Sequence, residues 1–242
     1  MRFNKEHLID LRMRNIAIVQ ARMGSSRLPK KALLPINGIP IIQWILERLM
    51  GCHELDSIVF AIPNSKKDDV LYDFLLSKKV KIFRGSENDV LSRIYHAAMR
   101  YDAENVIRIC ADNPFIDPKS IDDLILFFEK KRCDYAYNHI PKNNLYPDGI
   151  GAEIVSLETL KKINNEANTN EQREHIFNFI WNNPDIFEIQ TFNPSEEWMI
   201  RPDLRLDIDT RDDYDEYSDL DLGPESDLKN IIAYKDKILS FK

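Results

Sequence analysis

The stretch NIAIVQARMGSSRLPKKAL occupies residues 15–33 and joins a short apolar run to a basic loop. Residues 15–20 are rich in β-branched side chains, which favours a strand buried on both faces. The loop that follows contains Gly24, Ser25 and Ser26, which are small enough for the backbone to turn sharply and present its N–H groups. Open α/β sheets bind ligands beyond the carboxyl ends of their strands, so this loop is the first place to look for a function.

Short apolar strands alternate with helical patterns along the rest of the chain. This alternation predicts an α/β fold, a single-domain doubly wound and mostly parallel sheet flanked by helices. Strands are predicted at 15–20, 57–62, 80–83, 105–110, 134–137, 152–156, 188–192 and 204–208. Helices are predicted near 39–50, 66–78, 88–101, 118–131, 156–165 and 170–182, with further helical segments closing the chain. The half after about residue 140 is less regular, and we expect it to form a small C-terminal lobe or dimerisation excursion.

Composition argues against several classes of function. A net charge of −7 speaks against nucleic acid or an anionic membrane surface as the main partner. No apolar run reaches the roughly 18 residues of a membrane span, and the start lacks a secretory signal, so we expect a cytoplasmic protein. The three cysteines lie outside any CxxC spacing, so neither a disulfide framework nor a zinc site is predicted.

Charge is distributed unevenly along the chain. Residues 1–50 carry nine Lys and Arg against three acids, whereas residues 203–221 carry nine acids and two arginines. This polarity suits an anionic ligand together with a divalent cation, although on charge alone a solvated surface at each end is the simpler interpretation.

The first loop has the outline of a triphosphate cradle. Arg22, Arg27, Lys30 and Lys31 supply cationic donors beside its small residues. Neither the Walker motif nor the Rossmann glycine motif is present. Taken alone, a basic loop of this kind is more often a solvated surface turn.

Six ordered segments together carry a family resemblance. They are QARMGSSRLPKKAL (20–33), FRGSENDVLSR (83–93), RICADNPFIDP (108–118), YPDGIGAEIVS (146–156), REHI (173–176) and LRLDIDTRDDY (204–214). They resemble the sugar-acid cytidylyltransferases, the superfamily of CMP-KDO and CMP-sialate synthetases, and most of all the branch named after spore coat polysaccharide biosynthesis protein F. The resemblance covers roughly residues 15–215.

The resemblance implies a nucleotide-diphospho-sugar transferase fold, which is GT-A-like and Rossmann-like, in residues 15–222. Residues 1–14 would form an N-terminal extension and residues 223–242 a C-terminal helical tail. The first loop would hold phosphates through its arginines and Lys31, while Lys30 stands where a glycine is usual. The implied nucleotide-binding residues are Gln20, Ala21, Arg22, Met23, Gly24, Ser25, Arg27, Lys31, Arg84, Gly85, Ser86, Asp89, Arg93, Cys110 and Ala111. An ion pair with Asp89 on a helix surface is the alternative for Arg93.

Two aspartates match the family's metal-binding positions. Asp112 and Asp209 each follow a predicted strand, and their carboxylates would hold Mg²⁺, which binds one or two protein carboxylates together with substrate phosphates. The alternatives are a turn-capping role for Asp112 before Pro114, and Asp207 in place of Asp209.

The acceptor pocket is also implied only by the resemblance. Its residues would be Tyr146, Asp148, Gly149, Glu153, Arg173, Glu174 and His175. Arg173 or His175 would neutralise a carboxylate or phosphate on the acceptor. The alternative for His175 is an ordinary place in an amphipathic helix with Ile176, Phe179 and Ile180.

The predicted function is Mg²⁺-dependent transfer of CMP from CTP to a small anionic acceptor, with release of pyrophosphate, for surface polysaccharide biosynthesis. The acceptor would be a sugar acid, such as a KDO-like or nonulosonate-like sugar, or a phosphorylated small molecule. Preplaced charges would stabilise the transition state, and the implied catalytic residues are Arg22, Arg27, Lys31, Asp112 and Asp209.

Three other functions stay open at this point. They are transfer from another nucleoside triphosphate to a sugar phosphate, a nucleotide-sugar-dependent glycosyltransferase, and a catalytically idle nucleotide-binding protein. In the second, DID (207–209) or DLD (219–221) would be the metal cluster. Neither nucleic acid nor membrane is expected as a partner, and a homodimer is expected by family analogy alone.

Overall fold

The computed structural model describes residues 14–241, so all but the last residue of the predicted extension 1–14 lies outside the described residues. The strands are β1 (Asn15–Gln20), β2 (Pro35–Ile36), β3 (Ile39–Pro40), β4 (Ser57–Pro63), β5 (Lys81–Gly85), β6 (Asn105–Cys110), β7 (Tyr135–Tyr137), β8 (Glu153–Ser156) and β9 (Ile189–Thr191). The α-helices are α1 (Ile41–Leu49), α2 (Asp69–Ser77), α3 (Val90–Arg100), α4 (Pro118–Lys131), α5 (Leu157–Glu166), α6 (Asn170–Glu174), α7 (Asn178–Trp181), α8 (Arg211–Asp215) and α9 (Leu228–Leu239).

Seven of these strands form one sheet in the order β5-β4-β1-β6-β8-β7-β9. Strand β1 lies near the middle and pairs in parallel with β4 and β6. Only β8 runs against its two neighbours. The mostly parallel sheet predicted from the sequence is confirmed. The loops after β1 and β6 therefore leave the same edge of the sheet side by side.

Both faces of the sheet are covered by helices. Along β1, Ala17 and Val19 belong to the core under α1, α2, α4 and α9. Ile16 and Ile18 belong to the opposite core, under α3, α5 and α7. Successive side chains of a strand point to opposite faces, so a strand buried on both sides needs a continuous apolar run. The doubly wound arrangement is thus confirmed.

Two predicted elements differ from the structure in the first and last thirds of the chain. The helix predicted from residue 39 begins at Ile41, because residues 35–40 form a two-stranded hairpin. Asn37 and Gly38 both have positive φ at its turn, as a tight hairpin requires. The strand predicted at 204–208 is absent as a strand; a single bridge joins Arg205 to Asp148.

The helix predicted over 170–182 is broken. Helix α6 ends at Glu174, and α7 begins at Asn178. His175 caps α6 with a non-helical ψ of 85°, which turns the chain away from the helix axis. This break decides where Glu174 and His175 point.

The C-terminal helix packs on the main sheet. Leu228, Ile231 and Ile232 of α9 are buried in the same core as α1. None of the helices formed by residues 14–241 combines the length and apolar character that a bilayer crossing requires. The division of the chain at residue 222 stays a prediction.

Candidate active site

A central cleft opens at the sheet edge where β1 and β6 end. The first loop, the turn after β6, the end of α6 and the segment before α8 form its walls. Its lining residues are Gln20, Ala21, Arg22, Ser25, Ser26, Arg27, Lys31, Ala32, Val90, Arg108, Cys110, Ala111, Asp112, Glu174, His175 and Asp209. Most of the predicted phosphate and metal residues therefore meet in one place.

Lys31 lies at the centre of this convergence. Its ammonium Nζ is 3.1 Å from Asp209 Oδ1 and 3.5 Å from Asp112 Oδ2. Arg27 Nη1 approaches the other Asp209 oxygen at 2.6 Å. The Lys31 and Asp209 side chains are only 11% and 12% exposed, so their attraction is screened by water much less than that of a surface pair. Two cations and two carboxylates thus form one half-buried cluster.

Backbone contacts hold the two aspartates in register. The N–H of Ile208 donates to the carbonyl of Asp112 at 2.7 Å, which ties the turn after β6 to the segment that carries Asp209. Asp213 accepts the N–H groups of Asp209 and Thr210 at the start of α8. Asp207 instead pairs with Arg205 at 2.6 Å. Among the two rivals in the DID sequence, Asp209 is the one that lines the cleft.

The first loop is held from below by a buried carboxylate that the sequence did not single out. Asp68 is fully buried and accepts the N–H of Met23 at 2.7 Å. At the other end of the loop, Lys30 has a left-handed backbone with φ of 61°. Glycine adopts that conformation without strain, whereas a residue with a Cβ adopts it at a cost. Lys30 itself is exposed and does not line the cleft.

Replacing Asp68 with alanine is expected to lower the free energy of unfolding by about 1 to 3 kcal/mol, since the Met23 N–H would lose its partner inside the protein. Asp68→Asn retains an acceptor oxygen and should cost less. Urea unfolding of the two variants and the parent measures the difference. Equal stability of Asp68→Ala and the parent would show that this hydrogen bond does not hold the loop.

The far wall of the cleft comes from the break after α6. Glu174 Oε1 lies 3.6 Å from Arg22 Nη2, across the opening. His175 lines the cleft beside it. Because α6 ends here, His175 does not continue an amphipathic helix, and that alternative interpretation is wrong.

The remaining predicted acceptor residues do not converge with these two. Tyr146 is buried in the core under α1, where it packs against Phe192 with ring centroids 5.5 Å apart. Arg173 makes a bidentate pair with Asp89 at 2.9 and 2.6 Å and also donates to Asn164. The expectation that Arg173 faces the acceptor does not fit the structure, because its guanidinium braces α6 against the start of α3.

Asp148 and Gly149 lie behind the cleft, next to the segment before Asp209. There the N–H of Asp148 donates to the carbonyl of Leu204, and the N–H of Leu206 donates to the carbonyl of Asp148. Gly149 has φ of 91°, and a Cβ added to it would lie 2.6 Å from the backbone nitrogen of Asp207. Close backbone approach therefore explains the glycine at this position.

Gly149→Ala is expected to destabilise the fold by about 2 to 4 kcal/mol, because positive φ and a backbone clash act together. Gly38→Ala is the matched control, since Gly38 has φ of 75° with open space around it. Only the φ penalty applies there. Thermal and urea unfolding should separate the two variants; equal losses would mean that the clash is relieved by local movement.

Val90 of the predicted nucleobase segment lines the cleft, but the predicted nucleobase residues themselves do not. Arg93 is almost fully buried and donates to the carbonyls of Ser86 and Glu87, so it is not a surface partner of Asp89. The pKa of Arg93 is lowered to about 10, mainly by burial and further by the positive charge of nearby Arg22.

Other predicted nucleotide-binding residues are also engaged within the protein. Arg84 pairs with Asp69 at 2.7 Å and donates to Ser65. A Cβ at Gly85 would meet the side chain of Arg93 at 2.9 Å. Met23 is buried at the loop base, and Gly24 packs under Lys67. These residues brace the walls of the cleft, and a direct role toward the base stays a prediction.

Sequence reasoning named Gln20 and Glu153 but missed Arg108, which joins them on the floor of the cleft. Arg108, in β6, donates to Gln20 at 3.1 Å and to the buried carboxylate of Glu153. Tyr135 donates to the same carboxylate at 2.6 Å, and His139 lies 3.8 Å from it. The sequence did contain an indication of this network. An arginine interrupts an apolar strand, and a charge is rarely buried without a partner.

Burial acts on the pKa values of the ionisable groups on this floor, downward for the bases Arg108 and His139 and upward for the thiol of Cys110. Burial acts to lower the pKa of Arg108, but the paired carboxylate of Glu153 opposes this effect and the net shift is upward. Burial also raises the pKa of Cys110 to about 12 and lowers that of His139. Cys110 is thus a neutral thiol, which does not suit it as a nucleophile.

The carboxylates of the cleft fit a hard divalent cation. Within residues 14–241, no group of three or more His, Cys, Asp or Glu side chains is arranged to hold a metal. Asp112 and Asp209 nevertheless bring carboxylate oxygens to one ammonium group, and Mg²⁺ needs only one or two carboxylates when substrate phosphates supply the rest. The donor set suits an ion that arrives with a polyphosphate.

Comparison with known proteins identifies the family. A family model described as "Cytidylyltransferase" matches residues 16–238. The chain belongs to the cytidylyltransferase family. The resemblance inferred from the six sequence segments is confirmed, including its branch.

Three similar proteins place the chain within this family. The spore coat polysaccharide biosynthesis protein SpsF of Bacillus subtilis is 32% identical over 82% of this chain and 82% of its own. An 8-amino-3,8-dideoxy-manno-octulosonate cytidylyltransferase of Shewanella frigidimarina is 36% identical, over 49% of each chain. The structure of a cytidylyltransferase from Leptospira borgpetersenii superposes with a TM-score of 0.84 at 29% identity, covering 94% of this chain and 96% of that one.

Proposed function

We propose that this cytidylyltransferase transfers CMP from CTP to a small sugar acid and releases pyrophosphate, with Mg²⁺ as the required cation. The observation that carries the proposal is the contact of one buried lysine, Lys31, with both Asp112 and Asp209 beside a basic loop. Such a cluster would not stabilise a neutral ligand. A triphosphate with its counter-ion presents negative charge to the cations of the cluster and positive charge to its carboxylates.

Each charged group has a task in this reaction. Lys31 and Arg27 bind phosphate oxygens, and Arg22 faces the same space from the other side of the loop. When bound, Mg²⁺ would be held by Asp112 and Asp209 and would neutralise charge on the phosphate oxygens. Asp68 keeps the loop in the conformation that presents its N–H groups.

The acceptor hydroxyl forms a bond to the α-phosphorus while the bond to pyrophosphate breaks. Charge builds up on the leaving pyrophosphate, and the cations of the first loop stabilise it there. The hydroxyl proton is released in the net reaction. The buried floor of the cleft orients the acceptor and excludes water, which would otherwise compete as the nucleophile.

A sugar acid is proposed as the acceptor for two reasons. The Shewanella relative is named for an octulosonate, which is a sugar acid. The cleft also contains a further arginine on its floor, outside the phosphate loop. The name of the Bacillus relative supports a role in polysaccharide biosynthesis. A cytoplasmic location and a homodimer complete the proposal.

A pyrophosphate-release screen tests the function. ATP, CTP, GTP and UTP are each incubated with Mg²⁺ and with sugar acids or sugar phosphates, including 3-deoxy-manno-octulosonate, N-acetylneuraminate and mannose 1-phosphate. Release of pyrophosphate with CTP and a sugar acid is the expected result. Activity with another triphosphate and a sugar phosphate would contradict it. Consumption of a nucleotide sugar without pyrophosphate release would instead indicate a glycosyltransferase.

A further inference from the structure

Arg108 differs from the other cations of the central cleft. It lies within β6, on the floor of the cleft, whereas Arg22, Arg27 and Lys31 lie on or next to the first loop. Each of those three faces an acidic residue of the cleft wall or of the proposed metal site. Arg108 faces Glu153, on the neighbouring strand β8. It therefore belongs to a different part of the site.

The guanidinium of Arg108 is fixed from behind. Its Nε donates to Gln20 and its Nη1 donates to Glu153, which is 4% exposed. Tyr135 donates a hydrogen bond to that carboxylate in turn, and His139 lies beside it. A side chain held in this way loses little conformational entropy when it binds a ligand.

Part of the same guanidinium is still available. Among the described residues, Nη2 of Arg108 has no hydrogen-bond partner, and the side chain is 16% exposed where it lines the cleft. Buried or half-buried guanidinium groups normally use most of their five N–H donors. An open donor on a fixed cation, facing a cleft, matches an anionic group of a ligand.

The position of Arg108 favours the acceptor over the nucleotide. It is aligned with Ile18 of β1, two residues before the start of the phosphate loop, and with Glu153 of β8. Glu174 and His175, which line the cleft from the end of α6, enclose the opening above the strand ends. Arg173, the other cation expected there, is occupied by Asp89.

We infer that Arg108 binds the carboxylate of the acceptor, so that the second substrate is a sugar acid bound through its acid group. This inference rests on the proposed function and specifies its acceptor site. Arg108 and Glu153 together are formally neutral, and burying a dianionic phosphate against them would leave charge uncompensated. A monoanionic carboxylate leaves less charge uncompensated and can accept the open Nη2 donor of Arg108.

The test compares Arg108→Met with Arg108→Lys and with the parent protein. Binding of CTP is measured by calorimetry, and the KM for the acceptor is measured by pyrophosphate release. The acceptor probes are 3-deoxy-manno-octulosonate, N-acetylneuraminate and their methyl esters. Arg108→Met is expected to raise the KM for the active acid about 10- to 100-fold and to leave the Kd for CTP within about twofold. Arg108→Lys should recover part of the loss.

The methyl ester removes the acceptor charge while leaving the arginine in place. We expect the parent protein to bind the ester as weakly as Arg108→Met binds the acid. The variant should lose no further affinity for the ester, because the two changes remove the same interaction.

A double variant distinguishes two roles of Arg108, which are to bind the acceptor and to neutralise the buried carboxylate of Glu153. Arg108→Met alone leaves a buried carboxylate without its cation and should lower Tm. Adding Glu153→Met removes that charge and should restore Tm, while the acceptor KM stays raised. Arg48→Met is the matched control, since Arg48 is a buried arginine that donates only to backbone carbonyls away from the cleft. It should lower Tm without a selective effect on the acceptor KM.

Four results would overturn the inference: an unchanged acceptor KM in Arg108→Met, recovery of that KM in the double variant, a loss of CTP affinity in Arg108→Met, or turnover of sugar phosphates alone. Failure of the parent protein to bind CTP would instead overturn the proposed function. Because CTP binding is measured without an acceptor, the two failures are distinguishable.

Discussion

Replacing Lys31 with methionine is expected to lower the turnover number for pyrophosphate release from CTP by about 10²- to 10³-fold. Methionine keeps the length and much of the packing of the side chain but removes its charge. The Lys31 ammonium is within 3.5 Å of both Asp112 and Asp209, at the place where the proposed triphosphate binds. Steady-state kinetics at saturating CTP measures the loss.

Lys30→Met is the matched control for this prediction. Lys30 precedes Lys31 directly and carries the same charge, but it is exposed and does not line the cleft. Its removal should change turnover by about twofold or less, as expected for a screened surface charge. Circular dichroism verifies that both variants are folded. A loss of less than about tenfold in folded Lys31→Met would contradict a role in stabilising the leaving group.

Asp209→Asn is expected to have a similarly large effect, about 10²- to 10³-fold on turnover. Asparagine is nearly isosteric but neutral, so Lys31 and Arg27 lose the carboxylate that they share. The proposed Mg²⁺ also loses one of its two protein ligands, and the Mg²⁺ concentration for half-maximal activity should rise. Titration of turnover against Mg²⁺ at fixed CTP measures both effects.

Asp207→Asn separates the two aspartates of the DID sequence. Asp207 lies two residues earlier and pairs with Arg205 at 2.6 Å instead of facing Lys31. We expect this variant to keep most of the activity and an unchanged Mg²⁺ requirement. If Asp207→Asn were the more damaging of the two substitutions, the assignment of Asp209 would be wrong.

The buried strands were the most predictable part of the fold. The segments that became β1 and β4 are nearly continuous apolar runs, and that of β6 is interrupted by Arg108, because a central strand covered on both faces leaves little room for alternation. The hairpin at Asn37 and Gly38 was missed, although that dipeptide is a known signal for a tight turn. The strand expected at 204–208 has the right residues, but only Arg205 finds a bridge partner.

The convergence of the residues predicted to bind phosphate and metal could be anticipated from the sequence, and that of the predicted acceptor residues could not. Asp112 follows β6 and Lys31 belongs to the loop after β1, and a parallel sheet brings such positions to one edge. The strand expected before Asp209 is not formed, and a hydrogen bond from the Ile208 N–H to the Asp112 carbonyl holds that segment at the cleft instead. The fold places the predicted acceptor residues in different parts of the molecule. Tyr146 belongs to the core, and Arg173 is occupied by Asp89.

The sequence by itself determined the class of fold, the family, and the kinds of side chain available for phosphate chemistry. Those properties follow from local patterns: apolar runs, small residues in a loop, and motifs in a given order. Only the tertiary structure decided which charges meet. Lys31 and Asp209 are 178 positions apart, yet they share a half-buried contact. Electrostatic attraction depends on distance in space and on exclusion of water, and neither quantity is written in the order of residues along the chain.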